Sequence, residues 1–235
     1  MRALLQYFHP LEKIKRKRKQ YLANVNLPKV LLDNIEQPCP KLSDLAKDAD
    51  FIVLDLETTG LDSQKDLILS MGWVYIRKGQ IDMTSALHLY LNNDSQINPE
   101  TAVINHITPQ MLSEGVAIND AMMTFFEAAR GKILVAHACV VEENFINQYL
   151  LKSYGIQAPP LLWLDTLCIE KKMVGNEGEI DLALAGTRER YALPEYNCHN
   201  ALADAVSTAE LLLAQQKRIT PNSDVTLGVL YSMSQ

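Results

Sequence analysis

Residues 51–60 constrain the fold most, because two acids stand there at the end of an apolar run. Residues 51–54 are continuously apolar, which is typical of a strand buried on both faces. Side chains alternate along a strand, so Asp55 and Glu57 would share one face. Neighbouring carboxylates repel each other and lose hydration on burial. With no Lys or Arg in residues 51–64, a hard divalent cation is the simplest neutralising group; the alternative is an acidic surface turn.

The composition limits the class of protein. The 235 residues are 48% hydrophobic and 21% charged, which is enough apolar material for one main domain with an appendage. The net charge of −6 excludes a broadly basic surface, so contact with nucleic acid would be local or carried by metal ions. Four dispersed cysteines favour a reducing, cytoplasmic location. We expect no signal peptide, and no apolar run approaches the roughly 18 residues of a membrane span.

Residues 1–48 are predicted to form an N-terminal helical extension. Residues 13–19 contain six Lys or Arg residues and no acid, most simply on a helix. This basic tract would either contact nucleic acid or an acidic partner, or form a solvated helix face, and the shortness of the run favours the solvated face. Prolines at positions 28, 38 and 40 then divide the segment, with a second helix expected over residues 29–35.

From residue 51 the pattern becomes α/β. Three successive strands are predicted as an antiparallel meander, followed by shorter strands that alternate with helices. This order predicts a mixed sheet with helices on both faces. We expect the folded domain to span residues 49–219 and residues 220–235 to form a weakly ordered C-terminal tail. The strands are expected at residues 51–54, 67–76, 83–91, 132–136 and 161–164, and the helices at residues 120–130, 140–153, 166–173, 179–191 and 200–217.

Further acids and histidines occur where strands or loops lead into helices. His137 and Glu142 follow the fourth predicted strand, and Asp165 follows the fifth. His199 precedes a long Ala/Leu helix that carries Asp204. An Asp among Ala and Leu is buried at a cost unless it has a partner. These positions therefore indicate a second group of side chains that could meet Asp55 and Glu57.

Taken together, these motifs resemble the DEDDh family of 3′-to-5′ exonucleases, which includes the epsilon proofreading subunit of bacterial DNA polymerase III. The resemblance covers roughly residues 50–218. The first motif reads Asp-Leu-Glu-Thr-Thr-Gly from Asp55, the third reads His-x-Ala-x-x-Asp from His199, and residues 105–108 resemble a short signature between the first two motifs. The resemblance implies a ribonuclease H-like fold.

The second motif departs from the family pattern His-Asn-x-x-Phe-Asp. The corresponding residues here are His137, Ala138, Val141 and Glu142, so a Glu replaces the family's catalytic Asp. Mg²⁺ accepts either carboxylate, so we expect altered metal preference more readily than loss of activity. We expect His137 to be structural and Asp165 to position the following helix.

The resemblance also implies roles for individual residues. Asp55, Glu57, Glu142 and Asp204 would hold two Mg²⁺ or Mn²⁺ ions, with Asp55 between them. His199 would take the proton of the attacking water. The residues that would contact the 3′-terminal nucleotide are Thr58, Thr59, Gly60 and Leu61.

The sequence therefore predicts a metal-dependent 3′-to-5′ exonuclease that releases nucleoside 5′-monophosphates from a single-stranded or frayed DNA 3′ end. One alternative is an RNA or oligoribonucleotide exonuclease of the same fold. Another is a non-catalytic module that binds a nucleic-acid end or docks onto a polymerase. We expect a possible polymerase or repair partner and no membrane association, and the residues leave the oligomeric state open.

Overall fold

The computed structural model describes residues 7–24, 27–92, 107–175, 180–196 and 199–235. The described strands are β1 (Phe51–Thr58), β2 (Ile68–Arg77), β3 (Gln80–Tyr90), β4 (Ile133–Ala136) and β5 (Trp163–Asp165). They form one sheet in the order β3-β2-β1-β4-β5. The strand that carries Asp55 and Glu57 therefore lies in the middle of the sheet.

Antiparallel and parallel pairings meet at β1. β2 pairs antiparallel with β1 and β3, whereas β4 pairs in parallel with β1 and β5. The first three strands are the predicted meander, and the parallel strands confirm the predicted mixed sheet. Because β1, β4 and β5 run in the same direction, their carboxyl ends lie together at one end of the sheet.

Helices cover both faces of the sheet, which confirms the predicted fold class. They are α1 (Pro10–Asn24), α2 (Lys29–Ile35), α3 (Pro109–Ser113), α4 (Ile118–Ala129), α5 (Val140–Tyr154), α6 (Thr166–Val174), α7 (Leu184–Glu189), α8 (Ala201–Ile219) and α9 (Leu227–Met233). The prediction started α7 too early: residues 180–183 are not helical, and residues 176–179 lie outside the described ranges. Among the described residues, no helix is both long and apolar enough to cross a bilayer.

Each face of the sheet has its own core. On one face, α4 and α5 pack against β1 and β2 through large apolar side chains such as Trp73, Phe125 and Ile146. On the other face, α6, α8 and α9 pack against the sheet through side chains that include Val53 and Val74. Alternate residues of a strand share a face, so Asp55 and Glu57 point toward α8 with Val53.

The N-terminal extension contributes side chains to both cores. Leu11 on α1 is fully buried in the core beneath α9, and Leu31 on α2 is fully buried in the core beside α4. The buried Arg18 guanidinium donates to the Pro160 carbonyl at 2.9 Å, just before the edge strand β5. α1 therefore passes around the β5 edge of the sheet, and edge strands are commonly covered in this way.

The C-terminal residues differ from the weakly ordered tail predicted over residues 220–235. α9 buries Leu230 and Tyr231 in the core, and Gly228 lets α9 approach the Leu42 carbonyl, which a Cβ would meet at 2.7 Å. Lys172 Nζ also donates to the Ser232 and Gln235 carbonyls at 2.7 and 2.6 Å. A seven-residue helix has little stability of its own, so its burial, which local sequence cannot reveal, decides its structure.

Because side chains of the N-terminal extension are buried in both cores, we predict that truncating them lowers the stability of the whole domain. Leu11→Ala and Leu31→Ala should each lower the free energy of unfolding by roughly 2–5 kcal/mol, because each leaves a cavity. Urea denaturation followed by Trp fluorescence measures the change. Met83→Ala is the matched control, since Met83 is 57% exposed on β3, and its substitution should change the stability by less than about 0.5 kcal/mol. Equal, small effects in all three variants would contradict the assignment of α1 and α2 to the core.

Candidate active site

Three acidic side chains meet at the carboxyl end of β1. Asp55 and Glu57 come from β1, and Asp204 comes from the first turn of α8. Each offers one carboxylate oxygen, and these oxygens lie within 4.8 Å of one another. Glu57 is only 8% exposed, and the other two are partly buried. The structure thus brings together three of the four carboxylates predicted from the sequence.

Gly72 on β2 makes this convergence possible, and sequence reasoning missed it. Gly72 lies directly opposite Asp55 in the β1–β2 pairing. A Cβ at this position would lie 2.2 Å from the backbone nitrogen of Leu202, in the first turn of α8. The absence of a side chain therefore lets α8 approach the sheet closely enough to deliver Asp204. A glycine inside a buried strand is the sequence signal that could have indicated this approach.

Hydrogen bonds at the start of α8 orient Asp204. The Asn200 side chain caps the helix by accepting from the Ala203 N–H at 3.0 Å. Asp204 Oδ2 accepts from the backbone N–H groups of His199 and Asn200 at 2.9 and 3.2 Å. The backbone of His199 is thus hydrogen-bonded to the carboxylate of Asp204.

Glu142 lies beside this group but outside the set of three oxygens. It projects from the first turn of α5, is 3% exposed, and its Oε2 has no hydrogen-bond partner. Its charge raises the pKa of Asp55, which indicates that the two carboxylates are near neighbours. An unpaired carboxylate oxygen in a buried position is costly, so a positive partner would stabilise it.

Burial raises the pKa of all four carboxyl groups, and repulsion from a neighbouring carboxylate adds to this effect at Asp55, Glu57 and Glu142. Burial is the main cause at Asp55, whose pKa lies well above its ordinary value, with Glu142, Asp204 and Glu57 adding repulsion. Burial, helped by Asp204, raises the pKa of Glu57 to about 7. Burial, helped by Asp165, raises the pKa of Glu142 to about 8. Burial also raises the pKa of Asp204, although the backbone N–H groups of Asn200 and His199 oppose it. The site therefore favours protons or cations.

This donor set fits a divalent metal ion. All the available ligand atoms are carboxylate oxygens, which hard cations such as Mg²⁺ and Mn²⁺ prefer. The unpartnered Glu142 oxygen and the raised pKa values both show a site that lacks positive charge. A divalent cation would supply that charge.

His137 and Asp165 hold the surrounding backbone in place. His137 Nδ1 and Nε2 lie 2.8 Å from the Thr166 hydroxyl and the Leu182 carbonyl, and burial lowers the pKa of the imidazole. The neutral ring can thus donate to Leu182 and accept from Thr166. Asp165 accepts from Leu167 N and Cys168 N at the start of α6, and from Ala138 N and Cys139 N just before α5. One carboxylate therefore connects the starts of the two helices that follow β4 and β5.

The loop after β1 is fixed by Asp66. Its carboxylate bonds the Thr59 hydroxyl at 3.0 Å, and a Cβ on Gly60 would lie 2.5 Å from the same carboxylate. The Thr59 N–H already donates to the Leu67 carbonyl, and Thr58 Oγ1 donates to the Gly60 carbonyl. Leu61 is 78% exposed at the tip of this loop. The Asp66 carboxylate thus occupies the space that a side chain at position 60 would need. Leu61 is the side chain of this loop that projects outward.

His199 and Asp204 line a groove beside the carboxylates. The groove has a volume of about 830 Å³, and its wall includes α7 and the segment that leads toward His199. The His199 side chain is exposed, and its backbone has φ +66°. Residues 197 and 198, which join His199 to that segment, lie outside the described ranges.

A buried arginine, which sequence reasoning also missed, holds the wall of this groove. Arg188 on α7 is 4% exposed and donates to the Ser207 carbonyl, the Pro194 carbonyl and Glu210 Oε2, the last two at 2.7 Å. Its guanidinium lies 5.0 Å from the centre of the Tyr196 ring, and the Tyr196 hydroxyl donates to Glu210 Oε1 at 2.9 Å. These contacts tie the segment before His199 to α7 and α8. Nothing in the spacing of the sequence indicates which acid pairs with Arg188.

Comparison with known proteins agrees with this geometry. A family model described as Exonuclease matches residues 52–212. The chain belongs to the exonuclease family. It is 31% identical over 187 residues to a PolC-type DNA polymerase III from Thermotoga maritima, and 29% identical over 187 residues to the 3′-5′ exonuclease DinG from Staphylococcus epidermidis. These alignments cover 78% and 80% of the chain but only 13% and 20% of the relatives. The family member described here thus spans a small part of the length of these relatives.

Solved structures share the fold of this exonuclease-family chain. The nuclease domain of 3′hExo, a DEDDh family member bound to rAMP, matches with a TM-score of 0.64 at 13% identity, covering 78% of this chain and 97% of that one. Exonuclease X in complex with 5′-overhanging duplex DNA matches with a TM-score of 0.58 at 19% identity, covering 77% and 99%. The ribonuclease H-like fold inferred from the motifs is confirmed. The family uses divalent metal ions, which accords with the carboxylate cluster.

The raised pKa values predict a pH-dependent stability in the absence of metal. Between their ordinary value of 4.5 and the folded values of about 7 and 8, Glu57 and Glu142 keep protons that the unfolded chain has lost. The free energy of unfolding in EDTA should therefore fall from about pH 5 to pH 8, by on the order of 3 kcal/mol for Glu57. Urea titrations across this range measure the slope. Glu57→Gln should make the slope shallower, whereas Glu36→Gln, at an exposed position just after α2, should not. A flat wild-type profile would contradict the clustering.

The close approach at Gly72 predicts a sensitive position far from the motifs. Gly72→Ala should lower the free energy of unfolding by roughly 1–3 kcal/mol, because the new methyl group overlaps the backbone of α8. It should also weaken Mn²⁺ binding, since Asp204 would move away from Asp55. Urea denaturation and calorimetric Mn²⁺ titration measure the two effects. Ser70→Ala, on the same strand without added volume, is the control. Undiminished Mn²⁺ affinity in Gly72→Ala would show that the approach of α8 does not set the site.

Proposed function

We propose that the protein is a metal-dependent 3′-to-5′ exonuclease that releases nucleoside 5′-monophosphates from single-stranded or frayed DNA 3′ ends. The observation that carries this proposal is the meeting of Asp55, Glu57 and Asp204 oxygens within 4.8 Å, in a chain of the exonuclease family. The direction of digestion is supported by the relatives named 3′-5′ exonuclease DinG. The single-strand preference is supported by the absence of excess positive charge for binding a duplex.

Four carboxylates would hold two Mg²⁺ or Mn²⁺ ions: Asp55, Glu57, Glu142 and Asp204. When bound, two such ions activate water and neutralise charge on the scissile phosphate and the leaving 3′ oxygen. Glu142 projects from α5, which starts just after β4, whereas Asp204 projects from α8 on the other side of β1. The ligands thus come from three separate elements, whose relative positions the two cores hold.

His199 is proposed to take the proton from the attacking water. An imidazole can accept a proton at neutral pH, which is the role of a general base. The side chain is exposed at the groove, while its backbone N–H is bonded to Asp204. The backbone contact would keep the imidazole near the carboxylates while the side chain remains free to adjust to the substrate.

The loop after β1 is proposed to receive the 3′-terminal nucleotide. Thr58, Thr59 and Gly60 would form a rigid floor, since both threonine hydroxyls, the Thr59 N–H and the Gly60 carbonyl are bonded within the loop. Leu61 would contact the terminal base, because 78% of its surface is exposed and a base offers an apolar face. A cytoplasmic location and a polymerase or repair partner belong to the same proposal; the relatives named PolC-type DNA polymerase III support the partner.

The proposal predicts which carboxylates are required for hydrolysis. Asp55→Asn and Asp204→Asn should each lower kcat more than about 100-fold, because loss of a metal ligand removes several kcal/mol of transition-state stabilisation. Glu142→Gln should lose activity that Glu142→Asp retains, since a shorter carboxylate still binds metal. Digestion of 5′-labelled DNA with a 3′ overhang, and of matched RNA, with Mg²⁺, Mn²⁺ or EDTA measures these effects.

Glu143→Gln is the matched control, because Glu143 is the exposed neighbour of the buried Glu142. It should retain activity within about twofold of wild type, as expected for a surface substitution. Unchanged digestion by Glu142→Gln would contradict its assignment as a ligand. Faster digestion of RNA would favour the ribonuclease alternative, and binding without cleavage in wild type would favour the non-catalytic module.

A further inference from the structure

The outward surface at the start of α1 has no part in the fold or the proposed catalysis. We define the α1 surface as Tyr7, Phe8, Lys13, Arg16 and Lys17. α1 packs inward through Leu11, Ile14 and Arg18, so positions 13, 16 and 17 fall on the opposite side of the helix. Lys13 and Lys17 are exposed, and no salt bridge to either occurs among the described residues.

Positive charge is concentrated at this surface in an otherwise acidic chain. Six of the 22 Lys and Arg residues fall within residues 13–19, although the net charge is −6, and three of these six lie on the α1 surface. Like charges four residues apart, such as Lys13 and Lys17, destabilise a helix slightly. The arrangement therefore does not serve helix stability, and a polyanionic partner would offset its cost.

Two exposed aromatic rings precede these cations in the chain, and one of the rings lies against Arg16. Tyr7 is 56% and Phe8 60% exposed, and their ring centres are 5.4 Å apart at nearly a right angle. The Arg16 guanidinium lies 4.0 Å from the centre of the Tyr7 ring and donates to the Tyr7 carbonyl at 2.7 Å. Exposed aromatic rings interleaved with cations are the features with which proteins bind single-stranded nucleic acid.

The α1 surface lies on the helix that passes the β5 edge of the sheet. Arg18, the residue after Lys17, donates to the Pro160 carbonyl just before β5. β5 ends at Asp165, at the end of the sheet where the carboxylates meet. A strand that extends from the proposed active site along the β5 edge would reach the α1 surface.

We propose that the α1 surface binds single-stranded nucleic acid upstream of the 3′ end, with Lys13, Arg16 and Lys17 on phosphates and Tyr7 and Phe8 stacked on bases. The inference rests on the proposed function for the identity of the ligand. It gives the basic tract a role that the helix pattern alone left open. An acidic protein is the competing occupant, and the two exposed aromatic rings favour the nucleic acid, because its bases can stack on them.

The test measures binding separately from hydrolysis. Binding is measured by the anisotropy of labelled oligothymidylate, with Asp55→Asn as the background and EDTA present. Strands of about 5 and about 30 nucleotides are compared, and the longer strand exceeds the usual site of roughly 4–16 nucleotides. Lys13→Gln/Lys17→Gln should weaken binding of the long strand about tenfold and reduce the slope of log affinity against log salt by about 1.4. Tyr7→Ala/Phe8→Ala should weaken it with little change of slope. The short strand should bind equally well to all variants.

Lys41→Gln/Lys217→Gln is the matched control, because it removes two exposed lysines elsewhere on the chain. The proposal would be overturned if both α1 variants bound the long strand as tightly as the Asp55→Asn background does. It would also be overturned if the control variant lost as much affinity for the long strand as the α1 variants. Hydrolysis of the p-nitrophenyl ester of thymidine 5′-monophosphate, which is too short to span to α1, should be unchanged by the α1 substitutions when Asp55 is intact. Absence of that hydrolysis in wild type would refute the proposed function while leaving the binding result to decide on the α1 surface.

Discussion

Repulsion among buried carboxylates is the constraint on which the rest of the structure depends. Asp55 and Glu57 lie on the central strand, and Asp204 and Glu142 approach them from helices on the two sides of the sheet. Bringing them together costs desolvation and Coulomb energy, which appear as raised pKa values. The two apolar cores must offset this cost when no cation is present. A divalent cation would turn the same arrangement from a cost into a stabilising contact.

Contacts remote from the motifs set the geometry of this cluster. Gly72 gives α8 its close approach, Asp165 joins the starts of α5 and α6, and Arg188 ties the segment before His199 to α8. Burying an ion pair such as Arg188 with Glu210 gains little net stability, since desolvation opposes it. Its directional hydrogen bonds nevertheless fix where the groove wall lies. These polar groups therefore mainly fix the positions of the helices and of the groove wall. Trp73, Phe125 and other apolar side chains supply most of the stability.

The departures in the second motif become understandable in the same terms. Ala138 occupies the position of the family's Asn with φ +65°, a left-handed conformation that Asn adopts more easily than Ala. The backbone N–H of Ala138 is held by Asp165 at 3.1 Å, so the turn persists without the Asn side chain. Glu142 then places a longer carboxylate in the buried position beside Asp55. The three departures from the family pattern, Ala138, Val141 and Glu142, thus still leave a carboxylate beside Asp55.

Local patterns predicted the parts of the molecule that local forces determine. The apolar run before Asp55, the helix of residues 29–35 and the long helix after His199 were all readable, because each depends on neighbours in sequence. The meeting of Asp55, Glu57 and Asp204 was reached through the family resemblance. Gly72, the Arg188 contacts and α9 were missed, because each depends on residues that are distant in sequence. The contact between Gly60 and the Asp66 carboxylate was also missed, because the periodicity of the strand does not reveal it.

The central claim is that the carboxylate cluster is a divalent-cation site, and calorimetric titration with Mn²⁺ tests it most directly. Titrations near neutral pH, in buffers with different enthalpies of ionisation, report the protons released as the ion binds. Because burial raises the pKa of Glu57 to about 7 and of Glu142 to about 8, binding should release protons. Asp55→Asn should greatly weaken binding. Mn²⁺ affinity unchanged by Asp55→Asn, or tight binding without proton release, would contradict the account.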